Sequence, residues 1–182
     1  MSSREMVKQI FISHVADQDK KEAEYLSNWL KTAYKNVDVF VSSLNSIECG
    51  SEPMGTLVEG LSKTDALILL MTPAALQNFW VVFEAGFVFG KHRRNRKCHN
   101  VFPFVCKGAK ISDLPKPIIS LMQAKDVTSE NGLAQALASL SKVLGQPYEK
   151  TVGELCEILS YKTPIQHPFS VGRSCRYEDR RI

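Results

Sequence analysis

With 182 residues, 44% of them apolar, the chain can bury one substantial core but is too short for two domains of ordinary size. Its formal charge of +4 is mild and gathers in Lys91-His-Arg-Arg-Asn-Arg-Lys97 and among the terminal arginines, without the interleaved aromatics that would favour nucleic acid. The opening residues are too polar for a secretory segment, and no apolar run reaches the length of a membrane span. Five cysteines (Cys49, Cys98, Cys106, Cys156 and Cys175) are scattered without a Cys-x-x-Cys pair, which points to neither a disulfide framework nor a zinc site. A soluble, cytoplasmic protein with free thiols is expected.

Strand-like and helix-like segments alternate along the chain, the signature of a parallel sheet with helical crossovers. Val7 to Ile12 reads as the first strand. Asp19-Lys-Lys-Glu22 has the spacing of a helix cap with a reciprocal glutamate, and Ala23, Leu26, Leu30 and Ala33 recur at helical spacing behind it. Val37 to Val41 is a second strand, Ser42 to Glu52 a polar loop around Gly50, and Pro53 the first turn of a second helix. Ala66 to Met71 is a continuous apolar run, as a central strand covered on both faces requires.

Thr72-Pro73 then opens a turn, a third helix follows, and Val101 to Cys106 is a fourth strand. Leu114 to Ala124, interrupted by Pro115 and Pro117, is ambiguous between a short helix and a strand edge. Leu133, Leu137, Leu140 and Leu144 predict a last core helix, ended by Gly145 and Pro147. These boundaries divide the chain into an α/β domain over 1–147 and, over 148–182, a helix capped at Thr151-Val-Gly-Glu154 with an irregular basic tail.

The third helix carries the feature most informative about function. Glu84 is the single charge in Phe79-Trp-Val-Val-Phe-Glu-Ala-Gly-Phe-Val-Phe-Gly90. A carboxylate among such neighbours is costly to ionise, so it is either an ion-pair partner or a catalytic group with a raised pKa. Ligands of open α/β sheets settle at the carboxyl ends of the strands. In this chain those ends are Ser13 to Asp17, Ser42 to Glu52, and the segment from Thr72 to Glu84.

Phe11-Ile-Ser-His14, Val39-Phe-Val-Ser-Ser43 with Ile47 and Gly50, and above all Trp80-Val-Val-Phe-Glu84 resemble the successive motif boxes of Toll/interleukin receptor (TIR) domains. The match runs from about Val7 to Gly145, and the continuation Glu-Ala-Gly-Phe-Val-Phe-Gly is more similar to the bacterial, NAD-cleaving branch than to animal adaptors. Two positions depart from the pattern: Ser42 stands where an acidic residue is common, and Asn78 where a serine often precedes the tryptophan. The resemblance implies a flavodoxin-like five-stranded parallel sheet in the order 2-1-3-4-5 with helices on both faces. It also implies cleavage of NAD at the nicotinamide–ribose bond with Glu84 as the catalytic residue, and self-association through TIR surfaces.

The chemistry suits the residue. Nicotinamide leaves as a neutral molecule, so the demand falls on the developing oxocarbenium ribose, which a fixed carboxylate stabilises. Trp80, one helical turn before Glu84, is a candidate to stack on a substrate ring, with core packing as its alternative. Ser13, His14 and Ser43 are candidates to meet the ribose or pyrophosphate, with a solvent-facing imidazole as the alternative for His14.

Lys91 to Lys97 reads first as a solvated helix end, and secondly as a site for NAD phosphates or an acidic partner. Cys98, His99 and Cys106 do not have zinc spacing, and no metal or bound cofactor is expected. The expected function is NAD glycohydrolase or ADP-ribosyl cyclase activity in cellular defence, antiphage defence or immune signalling, with an effector or sensor protein as the candidate partner. A non-enzymatic TIR interaction and signalling module and another nucleotide or nucleoside N-glycosidase are the alternatives.

Overall fold

The computed structural model describes residues 7–15, 18–42, 53–93, 100–116, 118 and 122–160. Five parallel strands, β1 (Lys8–Ser13), β2 (Val37–Val41), β3 (Ala66–Met71), β4 (Val101–Val105) and β5 (Lys125–Asp126), form one sheet in the order 2-1-3-4-5. Ile12 pairs with Val41, Ser13 with Leu69 and Met71 with Val105, so the carboxyl ends of the four longer strands lie side by side. The helices are α1 (Lys20–Ala33), α2 (Pro53–Lys63), α3 (Phe79–Arg93), α4 (Glu130–Leu144) and α5 (Gly153–Ser160).

Alternation along the strands divides the core into two layers. Ile10, Ile12, Ile68, Leu70 and Phe104 pack with Leu26 and Leu30 of α1, Leu133, Leu137 and Leu140 of α4, and Leu155 and Leu159 of α5. On the opposite face, Phe11, Leu67, Leu69, Met71 and Val105 pack with Leu57 and Leu61 of α2 and Val81, Ala85 and Val88 of α3. Every residue of β3 is buried, which accounts for its unbroken apolar run.

The last core helix forms as its sequence predicts. The Ser129 side chain accepts a hydrogen bond from the Gly132 N–H, and Gly145 ends α4 in the left-handed region at φ 75°. α5 closes the same layer as α1 and α4, with Leu155 and Leu159 fully buried.

Two readings change. Asp19 sits at the N-cap of α1, but its side chain caps nothing. Its carboxylate is drawn instead to Lys107 and Thr72, because a charge-assisted contact in the interior outcompetes a neutral backbone N–H. β5 begins just beyond the ambiguous Leu114 to Ala124 stretch and has only two residues, too few to show any periodicity. Ser43, the loop around Gly50, Cys49, Cys98, His99, Cys175 and the tail from Tyr161 lie outside the described residues. Among the described residues no helix is long and apolar enough to cross a membrane.

Candidate functional site

Glu84 lies on the core-facing stripe of α3, at helical spacing with Val81, Ala85 and Val88, and only 2% of it is exposed. The stripe carries its carboxyl towards the carboxyl ends of β1 and β2. Ser42, the residue after β2, is held to the sheet by its N–H bonding the Ile12 carbonyl at 3.0 Å. Its Oγ donates to Glu84 Oε1 at 3.2 Å. Ser42 is therefore a hydroxyl donor to the carboxyl.

Burial pushes the Glu84 carboxyl above the usual range, and the Ser13 and Ser42 hydroxyls pull the other way by favouring its charged form. Ser13 Oγ, at the end of β1, acts on Glu84 from nearby yet meets it in no full hydrogen-bonding geometry. Ser13, Ser42 and Glu84 lie together at the carboxyl edge of the sheet, although the sequence marks Ser42 only as a departure from the motif pattern. His14 does not point to solvent: it is 7% exposed. Burial holds its imidazole below the usual range, against the upward pull of Asp19, Glu24 and Glu22.

Trp80 is not a core tryptophan. It is 37% exposed and meets Phe83 edge to face, with ring centroids 5.4 Å apart. Phe79 beside it is 90% exposed, so the start of α3 displays an aromatic surface next to the buried carboxyl. Asn78 caps this helix, its Oδ1 accepting from the Trp80 N–H at 2.9 Å. Lys91 is an anchor within the fold, with Nζ donating to the Thr64 carbonyl at 2.9 Å. The rest of the basic run has no described side chains.

A second polar cluster adjoins this site and escapes sequence reasoning. Lys107, two residues beyond the end of β4, is buried with Nζ 3.3 Å from Asp19 and 3.0 Å from Glu22. Thr72, directly after β3, donates to the other Asp19 oxygen at 2.7 Å. Lys107 has φ 55°, a left-handed backbone that points its side chain back under the α1 terminus. Its carboxylate partners hold the ammonium above the usual range, outweighing burial. Among the described residues no group of His, Cys, Asp and Glu has an arrangement suited to a metal ion, and Cys106 and Cys156 are buried free thiols.

The TIR domain family matches residues 10–140. The chain belongs to that family. A stimulator of interferon genes protein from Magallana gigas is 28% identical over 134 residues, which is 70% of this chain and 31% of the relative. Among solved structures, a metazoan TIR-STING receptor from C. gigas matches with a TM-score of 0.53 at 22% identity, over 81% of this chain and 43% of that one. The same receptor in complex with 2',3'-cGAMP gives a TM-score of 0.51 at 20% identity, over 85% and 45%. At these identities the structural likeness shows the fold, and the TIR chain spans under half the length of each of these proteins.

Proposed function

We propose that this TIR domain cleaves NAD at the nicotinamide–ribose bond, with Glu84 as the catalytic carboxylate. The observation that carries the reading is a buried glutamate at the carboxyl edge of the sheet, held by the Ser42 hydroxyl and, among the described residues, in no ion pair with a cation. A structural glutamate at such depth is normally neutralised by Lys or Arg. Glu84 instead keeps its field for a charge that arrives with the substrate. As the C–N bond breaks, its electron pair leaves with nicotinamide, and Glu84 stabilises the positive ribosyl carbon. Water then adds to that carbon and loses a proton to give ADP-ribose, or an adenine nitrogen of the same molecule adds to give a cyclic product. Incubation of the purified chain with NAD, with nicotinamide release followed in time, tests the reading directly.

Ser42 sets the pH range. Because burial raises the Glu84 pKa, activity should fall on the acid side as the carboxylate takes up its proton. Ser42→Ala removes a donor to the charged form, so the acid limb should move to higher pH. Loss of one hydrogen bond to a charged group predicts about a tenfold lower rate below neutrality, with a smaller deficit at alkaline pH. A pH–rate profile superimposable on that of the native protein would remove Ser42 from the site.

The exposed Phe79, Trp80 and Phe83 favour a further element of the proposal, self-association of TIR domains, with assembly governed by a sensor or effector protein in a defence or immune pathway. Glu84, Ser13 and His14 are closed to solvent in the single chain, so turnover should require the rearrangement that assembly brings. Specific activity is expected to rise with protein concentration as oligomers appear in light scattering. Rates strictly first order in protein, with a monomer throughout, would instead show that one chain suffices.

A further inference from the structure

Three buried side-chain polar atoms have no hydrogen-bond partner among the described residues: Ser13 Oγ, His14 Nδ1 and His14 Nε2. Folded chains pair nearly all such atoms, since each one left bare costs free energy. These three belong to consecutive residues at the carboxyl edge of β1. Strand alternation turns Ser13 to the α3 side with Phe11, where it acts on Glu84, while the charges acting on His14 come from the start of α1. The two residues therefore straddle the edge of the sheet, and a molecule laid across it beside Glu84 would meet both.

We propose that Ser13 and His14 receive an uncharged polar group of the substrate, a ribose hydroxyl or the nicotinamide carboxamide, and that His14 is a specificity-determining residue of the Glu84 site. The proposal rests on the NAD-cleaving reading above. A neutral imidazole offers one donor and one acceptor, which matches a hydroxyl or a primary amide, each of which also donates and accepts. A phosphate is a poor match. The charged groups acting on His14 are Asp19, at the entrance of α1, and Lys20, Glu22 and Glu24 on α1. Lys107, beyond β4, engages Asp19 and Glu22, and Lys20 lies 3.9 Å from Glu24, so among the described residues three carboxylates face two ammonium groups, a balance that disfavours an anion. The imidazole is kept neutral by its burial in the same place.

Two experiments on the full chain test this. Steady-state NAD kinetics and thermal melting are compared for the native protein, His14→Leu, His14→Gln and Glu84→Gln. His14→Leu should lose about tenfold or more in kcat/KM, as expected when a buried polar group of the substrate loses its partner. It should melt no lower than the native protein, because an apolar side chain replaces unpaired polar atoms, and His14→Gln should recover part of the loss. In parallel, NMR of the His14 ring nitrogens in the native chain, identified among four histidines by their loss in His14→Leu, follows addition of ADP-ribose, nicotinamide or pyrophosphate. A response to ADP-ribose assigns the hydroxyl, and one to nicotinamide assigns the carboxamide. Native kinetics in His14→Leu, or ring nitrogens that answer only to pyrophosphate or to nothing, overturns the proposal. Failure of the parent reading looks different: the native chain would release no nicotinamide, or release it as fast after Glu84→Gln.

Discussion

Glu84→Gln should lower NAD cleavage by more than about a hundredfold while leaving the protein at least as stable, as expected when the main electrostatic contact to a transition state is removed and shape is kept. The amide oxygen still accepts the Ser42 hydrogen bond, so packing around α3 is preserved. Stability carries the second half of the prediction. The folded state holds the Glu84 proton more tightly than the unfolded chain, whose carboxyl titrates near 4.5. Between that value and the raised folded pKa the native state binds more protons, so stability falls as pH rises through the window and the penalty is complete above it. Glu84→Gln removes this penalty. Its melting temperature should exceed that of the native protein at pH 8, with the margin shrinking towards pH 4. Native turnover in a folded Glu84→Gln protein would end the catalytic assignment, and a lower melting temperature at pH 8 would show instead that the charge serves the fold.

Glu84 was legible in the sequence because a lone charge in an apolar helix is a local signal. β3 was legible for the same reason, its apolar run being long enough to require cover on both faces. What surrounds Glu84 was less so. Ser42 looked like a departure from the family pattern, and its hydroxyl becomes a partner of the carboxyl only once β2 is laid in register beside β1, 42 residues from the helix position it serves. Asp19 shows the limit most plainly. Asp-Lys-Lys-Glu is a sound local cap, but Lys107 lies 88 residues further along the chain and takes both acids once β4 is in place. His14 follows the same rule, since nothing in Ser-His-Val marks an imidazole that the folded chain buries with both nitrogens unpaired among the described residues.

Ending the chain after Gln146 should lower the melting temperature by about 10 °C or more, and the loss should reach the Glu84 site. Such a chain lacks α5, whose Leu155 and Leu159 are fully buried against α1 and α4. Removing two such leucines forfeits about 3–6 kcal/mol of burial, a large part of a typical stability of about 5–15 kcal/mol. For a chain of this size about 4 kcal/mol corresponds to roughly 10 °C. Further ties go with it: Tyr148 packs on Trp29 and Tyr34, the Glu149 N–H bonds the Ala33 carbonyl at 2.9 Å, and Ser160 Oγ bonds the Thr128 carbonyl at 2.9 Å. The contact that leads from this helix towards the polar cluster beside His14 is the Lys107 N–H on the Leu159 carbonyl at 3.1 Å. It helps hold Lys107 in its left-handed turn, from which the ammonium reaches Asp19 and Glu22 beside His14. Leu159→Ala loosens the packing of α5 without removing chain or the Leu159 carbonyl, and its cavity should cost about 2–5 kcal/mol. Circular dichroism melts of both variants, with nicotinamide release measured well below their transitions, separate the two effects. Loss of activity in still-folded Leu159→Ala protein would tie the packing of α5 to the site, whereas full activity would confine α5 to holding the core.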